Sequence, residues 1–495
     1  MSGANAPGPR EPIELFLDNV EGEISALESV LQSKEVAVPQ RAQKLLIKSL
    51  LRISGWVRYA FRTERNERVG ASPDHLVALG RRYRLLIGDV QEWFLPYLTE
   101  TDETYCPPEI GMAVDRLVGQ IEVDSVVLLH PDQDPVPKIW PVWDLEANFL
   151  HGLGTYRPPG AASAKGQPQL FIFLSYPQVM ARSPLIHTIV LSHEIEHLED
   201  WSRGLSTGLS NEMELTAQDF EVLLDELKNR PILEERGGLP PVTFGERFTA
   251  EELGASVVQR WSELRDNWLS EITSDLLAVR NFGPAYFFAL GLWSLPIGVM
   301  HVHSDTHPCS RLRLELMGRE LRSMGLTHYS AGALGTARVH FDQWTTLLRD
   351  QRPTEGERIH QVAERYVRRA FPRIRQEVQR ASTAAGPLAA DSKNDIEYAV
   401  QLLRRGVPPA EILRGPNRLL KPCGLAVIFN AYFIFQSAYL QDLYELLGAR
   451  TDEERQEALL KLDKLVLKAV EGSEIKTLWH EAEGVSPRED AQNDD

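Results

Sequence analysis

The sequence predicts a mostly helical α+β protein in which one small sheet is flanked by helical regions on both sides. Two observations support this fold class. Apolar residues recur at spacings of three and four over most of the chain, which is the pattern of amphipathic helices. Short runs rich in β-branched and aromatic residues occur between about residues 120 and 180, where Pro, Gly and Asp bound them, and they predict strands.

The chain is long enough for more than one domain, because 495 residues exceed what one hydrophobic core usually organises. The small and polar stretch STAAGPLAADSKND (382–395) is the predicted linker. In chain order we expect a flexible tail (1–12), an N-terminal helical region (13–118), a core that contains the strands (119–330), a C-terminal helical region (331–482) and an acidic tail (483–495).

Composition excludes some classes of partner. The chain has 70 acidic and 53 basic side chains and a net charge of −17, so we expect no nucleic-acid partner. Two apolar runs, 283–300 and 425–440, fall short of a clean membrane span, and we expect buried helices there. No secretory signal is visible at the N-terminus. Three widely separated cysteines predict reduced thiols and a cytoplasmic location: Cys106, Cys309 and Cys423.

The stretch VLSHEIEHLEDW (190–201) carries the most informative pattern in the chain. It lies in an expected helix that ends at Gly204. Residues four apart on a helix share one face, so His193 and His197 can bind one metal ion, with Glu194 beside them to hold a water molecule. This HExxH spacing predicts a zinc site.

A catalytic zinc also needs a third protein ligand and an open position for water. The stretch WLSEITSDLLAVRNFGPAY supplies a candidate, because Glu271 and Asp275 are again four residues apart on a helical pattern. We expect Glu271 to be the third ligand and Asp275 to orient an imidazole through its second N–H.

Two segments resemble a known family of metallopeptidases. SEITSD resembles the NExxSD glutamate-helix of the gluzincins, with Ser270 in place of the asparagine. SDTHPCSRLRLEL is similar to the THPxxxxR segment of the gluzincin family that contains the CAAX prenyl endopeptidase and the HtpX-type protease, and His307, Pro308 and Arg313 match it. The resemblance covers 169–320, about a third of the chain. It implies a zincin-like core, a zinc cofactor and stabilisation of the oxyanion by His307 or Arg313.

The predicted function is therefore a zinc metalloendopeptidase that acts on a protein or peptide. Glu194 would take a proton from the activated water and pass it to the leaving nitrogen. The run QLFIFLSY is placed like the edge strand of zincins, to which a substrate adds as another strand, although a plain core strand is the alternative. The helical flanks could select a folded substrate, or cover the cleft until a regulatory protein partner releases it.

Two other functions compete with this prediction. One is a helical interaction or scaffold protein with a structural or vestigial metal site, in which Glu194 would have no role. The other is a metallo-β-lactamase-like hydrolase, because HVHSDTH (His301, His303, Asp305, His307) resembles the HxHxDH cluster of that fold. The histidines without a partner at ligand spacing are expected to be structural: His130, His151, His187, His340 and His360.

Overall fold

The computed structural model describes thirteen stretches of the chain: 12–37, 41–98, 108–119, 125–132, 138–139, 144–159, 170–177, 184–230, 243–297, 300–350, 357–382, 387–414 and 419–482. The predicted tails, apart from Pro12, lie outside these residues. The chain divides into two compact units, one made of Met1–Cys106 and Val118–Ala181, the other of Pro107–Leu117 and Arg182–Asp495.

The described chain is mostly helical with two small sheets, which confirms the predicted fold class. The helices are α1 (Pro12–Ala37), α2 (Arg41–Glu67), α3 (Pro73–Asp89), α4 (Pro108–Val118), α5 (Leu145–Leu153), α6 (Pro184–Arg203), α7 (Ala217–Asn229), α8 (Phe244–Arg247), α9 (Ala250–Phe282), α10 (Pro284–Ile297), α11 (Ser310–Ser323), α12 (Gly332–Asp350), α13 (Arg358–Ala381), α14 (Ala390–Arg404), α15 (Leu425–Ala438), α16 (Leu440–Leu447) and α17 (Asp452–Ala482). The strands are β1 (Ser125–Asp132), β2 (Lys138–Ile139), β3 (Leu170–Pro177), β4 (Glu411–Arg414) and β5 (Leu419–Pro422).

The first unit packs its helices on a three-stranded sheet. β1 and β3 are parallel, from the pair Ser125 and Leu170 onward, and the connection between them contains α5, as parallel strands require a long crossover. Phe171 and Phe173 of β3 join the apolar faces of α1, α2, α3 and α5 in one buried core. Apolar burial of this kind is the main stabilising term for such a unit.

β3 is the middle strand of the described sheet, whose order is β1-β3-β2. Its second side pairs with β2 through Ile139 and Leu174. The expectation that this run is an edge strand is therefore wrong at Leu174, and the core-strand alternative holds there. The short β2 escapes sequence analysis because two residues are too few to show alternation.

The strands are grouped with the N-terminal helices in the first unit. The predicted core of 119–330 instead joins them to the helices that follow, and the boundaries of that core stay predictions. In the second unit, α6 ends at Gly204, which has a φ of +61°, as the sequence predicts.

The long helix α9 is the centre of the second unit. It begins with a capping box, in which Thr249 Oγ1 accepts from the Glu252 amide (3.2 Å) and Glu252 Oε2 accepts from the Thr249 amide (2.8 Å). It ends at Gly283, whose positive φ of +58° lets the chain turn directly into Pro284 of α10. Its middle is buried, with Trp268 at the centre of an apolar core shared with α13.

The two apolar runs form the helices α10 and α15, much of each buried, as predicted. Asn430 of α15 explains why a polar residue lies in such a run. Its side chain donates to the Phe282 carbonyl (2.8 Å) and accepts from the Ala285 amide (3.1 Å), so it satisfies the backbone where α9 turns into α10. Among the described residues, no helix has both the length and the apolar character needed to cross a membrane.

The C-terminal half differs from the prediction in two places. β4 and β5 form an antiparallel hairpin inside a region expected to be helical throughout. α14 begins at Ala390, inside the predicted linker, because the small and polar residues there include good helix formers. Cys309 and Cys423 are buried thiols, and Cys106 lies outside the described residues.

We predict that a buried acid between α15 and α17 lowers stability near neutral pH. Asp463 accepts a hydrogen bond from Tyr432 (2.7 Å), and burial raises the pKa of its carboxyl from 3.8 to about 6. The folded state therefore keeps this proton to a higher pH than the unfolded state. As a result this group makes the free energy of unfolding fall as the pH rises from about 4 to 6.

Asp463→Asn should raise the free energy of unfolding at pH 7 by about 1–3 kcal/mol, and should change it much less at pH 4. The amide oxygen can still accept from Tyr432. Urea denaturation at both pH values measures the difference. Glu457→Gln, on an exposed part of the same helix, is the control and should show no such dependence. A gain that is equal at both pH values would contradict this account of Asp463.

Candidate metal site

Three side chains from α6 and α9 converge at one point of the second unit. His193 Nε2 and His197 Nε2 lie 3.1 Å apart. Glu271 places Oε2 3.2 Å from His193 Nε2 and Oε1 3.3 Å from His197 Nε2. Among the described residues, this is the group of histidine, cysteine and acidic side chains that could hold a metal ion.

The spacing of these atoms fits a small transition-metal ion. Ligand atoms held at about 2.0–2.1 Å around one tetrahedral zinc ion lie about 3.3 Å from each other. The separation of 3.1 Å between the two ring nitrogens is close to that value, and Glu271 brings one carboxylate oxygen to 3.2 Å from His193 and the other to 3.3 Å from His197. Two imidazoles and one carboxylate are also a donor set that zinc uses at catalytic sites. The cluster can therefore hold a metal ion, and its chemistry does not by itself identify which one.

Asp275 lies behind the first histidine, where the sequence predicts it. Its Oδ1 is 3.1 Å from His193 Nδ1. The same carboxylate accepts two bonds from Arg313, from Nε (2.7 Å) and Nη2 (2.7 Å), and a third from the hydroxyl of Tyr286 (2.6 Å). Asp275 is thus held in one orientation by groups from α10 and α11, and it can fix the His193 ring.

The second histidine is held by residues that the sequence analysis did not assign. His197 Nδ1 is 3.0 Å from the hydroxyl of Ser270 and 3.0 Å from that of Ser274. Ser270 donates in turn to the buried carboxylate of Asp200 (2.9 Å). Asp200 also accepts from the amide and the hydroxyl of Ser206, both at 2.7 Å. Ser270 thus joins His197 to a fixed carboxylate.

The charges of the cluster shift one another's pKa values. Burial would raise the pKa of Glu271 and Asp275, but Arg313 and His193 hold that of Glu271 well below its usual range and that of Asp275 at about 2. Burial would lower the pKa of His193, but Glu271 and Asp275 raise it to about 10. The pKa of Arg313 is raised by the same two carboxylates against its burial. The cluster therefore keeps ionised carboxylates in a buried place.

Glu194 and His307 are both more exposed than His193 and Glu271. The Glu194 side chain is partly exposed, accepts no hydrogen bond from the described residues, and has a pKa raised by burial. His307 is 48% exposed, and its Nε2 lies 3.3 Å from Glu271 Oε1. Its Nδ1 contacts the Thr306 hydroxyl (2.8 Å), which fixes the ring. Arg313 differs from His307, since its side chain is only 6% exposed.

In the part of the chain that the structure describes, the histidines of HVHSDTH are not gathered into a second metal site. Asp305 accepts two bonds from Arg260 (2.7 and 2.8 Å) and a contact from His360 Nε2 (2.7 Å). His303 stacks on Trp268 and accepts from the Cys309 amide (3.1 Å). These contacts use the groups that a metal would need, so the metallo-β-lactamase-like arrangement has no support. His360, predicted to be structural, has that role here.

Besides Ser270 and Ser274, three residues near the cluster were missed by the sequence analysis. Asp200 follows His197 by three residues, so helical periodicity places it near the same face, which was a usable signal. Tyr286 stacks near the His193 ring, with ring centroids 6.2 Å apart, but it lies in an apolar run that predicts only a buried helix. Glu196, an acidic residue between the two histidines, is buried and accepts from Asn281 (2.6 Å).

Comparisons with protein-family models, with curated proteins and with solved structures gave no significant match to this chain.

We predict that purified protein binds about one zinc ion per chain, because each of the three side chains offers a ligand atom and these atoms lie within 4.8 Å of one another. His197→Ala and Glu271→Ala should each lose most of the metal. His303→Ala, which removes a histidine of the rival cluster, should retain it. Metal analysis by mass spectrometry measures the content of all four proteins. Full occupancy in Glu271→Ala would remove Glu271 from the ligand set.

We also predict that the two serines at His197 differ in importance. When Nε2 of His197 binds metal, Nδ1 carries the ring proton. Of the two serines at Nδ1, Ser270 is the one that also donates a hydrogen bond to a described carboxylate, that of Asp200. Ser270→Ala should therefore weaken zinc binding by roughly 10-fold or more. Ser274→Ala is the matched control and should have a smaller effect. Competition with a chromophoric chelator measures both affinities, and equal losses would show that Asp200 does not act through Ser270.

Proposed function

We propose that this protein is a zinc-dependent metalloendopeptidase of the gluzincin type, which hydrolyses peptide bonds in a protein substrate in the cytoplasm. One observation carries the proposal. Two imidazoles and a carboxylate converge within 3.3 Å of one another, and the glutamate that follows the first histidine lies beside them, partly exposed. A structural metal site needs the first three residues but has no use for the fourth.

The proposal gives each residue of the cluster a separate role. His193, His197 and Glu271 would hold the zinc ion, with Asp275 and Ser270 fixing the two rings. Bound zinc would supply the Lewis acid that polarises a scissile carbonyl and acidifies a water molecule. Glu194 is partly exposed and interacts electrostatically with His193, His197 and Glu271, and in this proposal its carboxylate takes the proton of that water and delivers it to the leaving nitrogen.

His307 and Arg313 have different roles in this proposal. A group that stabilises the oxyanion must be accessible to the substrate and present an N–H to its oxygen. Arg313 is buried and its guanidinium is bound to Asp275 through two hydrogen bonds, so we assign it to positioning. His307 is half-exposed next to Glu271, and we assign it to the substrate oxygen.

A scaffold protein with a vestigial site is the alternative, and one observation favours it. Arg313 Nη2 lies 3.2 Å from His193 Nε2, so a cation already stands beside a ligand atom and opposes a second one. The two ionised carboxylates, Glu271 and Asp275, balance Arg313 and a protonated His193, and a metal ion would replace the His193 proton. Glu194 has no role in a scaffold, and we therefore prefer the enzyme.

Glu194→Gln is the sharpest test of the proposal, because it keeps the shape of the side chain and removes the proton acceptor. Zinc content should stay at the wild-type level, since Glu194 is not a ligand. Peptide hydrolysis should fall by a factor on the order of 10² to 10⁴, which is the usual effect of losing a positioned general base. A proteome-derived peptide mixture analysed by mass spectrometry detects cleavage whatever the preferred substrate sequence is.

Glu263→Gln is the control for this experiment, because Glu263 lies on an exposed part of α9 and bonds only to Gln259 (2.9 Å) among the described residues. It should cleave as well as wild type. Cleavage by Glu194→Gln at the wild-type rate would mean that Glu194 is not catalytic. Bound zinc without any cleavage by the wild type would favour the scaffold.

A further inference from the structure

A cavity of about 360 Å³ lies between α11 and α12, apart from the metal cluster. Four arginines and one glutamate are among its lining residues: Arg311, Glu315, Arg319, Arg322 and Arg349. The cavity therefore carries an excess of three positive charges in a chain whose net charge is −17. Such a local reversal of sign attracts small anions.

The helix geometry explains why these side chains meet. Arg311, Glu315, Arg319 and Arg322 follow helical spacing, so they share one face of α11. Gly318 lets α12 approach that face, because a Cβ at this position would lie only 3.2 Å from the Phe341 ring. Arg313 points the opposite way, about 160° around the helix by its spacing of two residues from Arg311 and nine from Arg322.

The arginines of the cavity are only partly neutralised. Arg311 pairs with Glu364 of α13 (3.4 Å), and Glu315 is shared, since it accepts from Arg319 (2.7 Å) and from Arg368 of α13 (2.7 Å). Arg322 lies over the Phe341 ring, with 5.4 Å from the guanidinium carbon to the centroid. Neither Arg322 nor Arg349 pairs with a carboxylate among the described residues. These two guanidinium groups therefore retain donors for a ligand.

We propose that this cavity binds a small polyphosphate, meaning two or more linked or clustered phosphate groups. Arginine binds phosphate oxygens in pairs through its planar fork, and several arginines match several phosphates. The volume is near the lower end of the range for small-molecule pockets, which suits a compact ligand. The negative charge of the whole chain disfavours a long polyanion such as nucleic acid. The site is independent of the zinc proposal.

The test is a calorimetric titration of the full chain with inorganic tripolyphosphate, at an ionic strength matched with potassium chloride. Saturable binding is expected, and it should weaken as salt is added. Arg322→Glu and Arg349→Glu should each weaken it by about 10-fold or more, because each removes a charge-assisted contact and adds repulsion. Parallel titrations with ATP and with inositol hexakisphosphate identify the source of the phosphates. If both bind with the affinity of tripolyphosphate, the cavity recognises the phosphates alone. If one of them binds more tightly, the cavity also contacts the organic part of that ligand.

Arg380→Glu is the matched control, because Arg380 is an exposed arginine of α13 paired with Glu377. It should bind tripolyphosphate as wild type does. All variants should keep the wild-type melting temperature and metal content, since the substituted side chains are exposed and remote from Arg313. Tripolyphosphate would also give a titration signal if it removed bound zinc. That signal would be the same in Arg322→Glu as in wild type, so it cannot account for weaker binding by the variant. Absence of saturable binding, or an equal loss in Arg380→Glu, would overturn the proposal.

Discussion

The burial of charge at Asp275, Glu271 and Arg313 constrains the second unit more than any other feature. A buried charge costs several kcal/mol unless partners compensate it. Each of these three residues has its partners on a helix other than its own. The pairs therefore require α9 to contact α6 through His193 and α11 through Arg313. Tyr286 adds α10 to the same network. The arrangement of these four helices therefore pairs the buried charges with one another, and it also brings the candidate metal ligands together.

Spacing along the sequence predicted the parts of this network that depend on one helix at a time. Four-residue separations placed His193 with His197, and Glu271 with Asp275, on shared faces, and the structure brings the two faces together. The partners Ser270 and Asp200 were not predicted, because serine and aspartate are common on helices and their direction depends on which helix lies opposite. Orientation across an interface is tertiary information that no local pattern contains.

The same limit applies to the fold. Long periodic segments such as α9 and α13 were recognisable because their apolar faces repeat many times. β2 and the β4–β5 hairpin were missed, since two to four residues give too short a pattern to distinguish a strand from a loop. The sequence predicted β3 as a strand, but its place in the middle of the sheet depends on its pairing with β1 and β2. Sequence therefore predicted which elements form better than which neighbours they have.

α11 shows how far a residue's surroundings decide its chemistry. Arg313 and Arg322 have the same side chain on the same helix. Arg313 is enclosed with two carboxylates that fix its position, and it has no freedom to bind anything else. Arg322 lies over an aromatic ring at an open cavity, with its donors still available. The net charge of −17 does not describe the electrostatic surroundings of either arginine, because attraction between charges acts over about 10 Å or less in salt solution. Local charge, read from the packed helices, is therefore the better guide to what each face of α11 can bind.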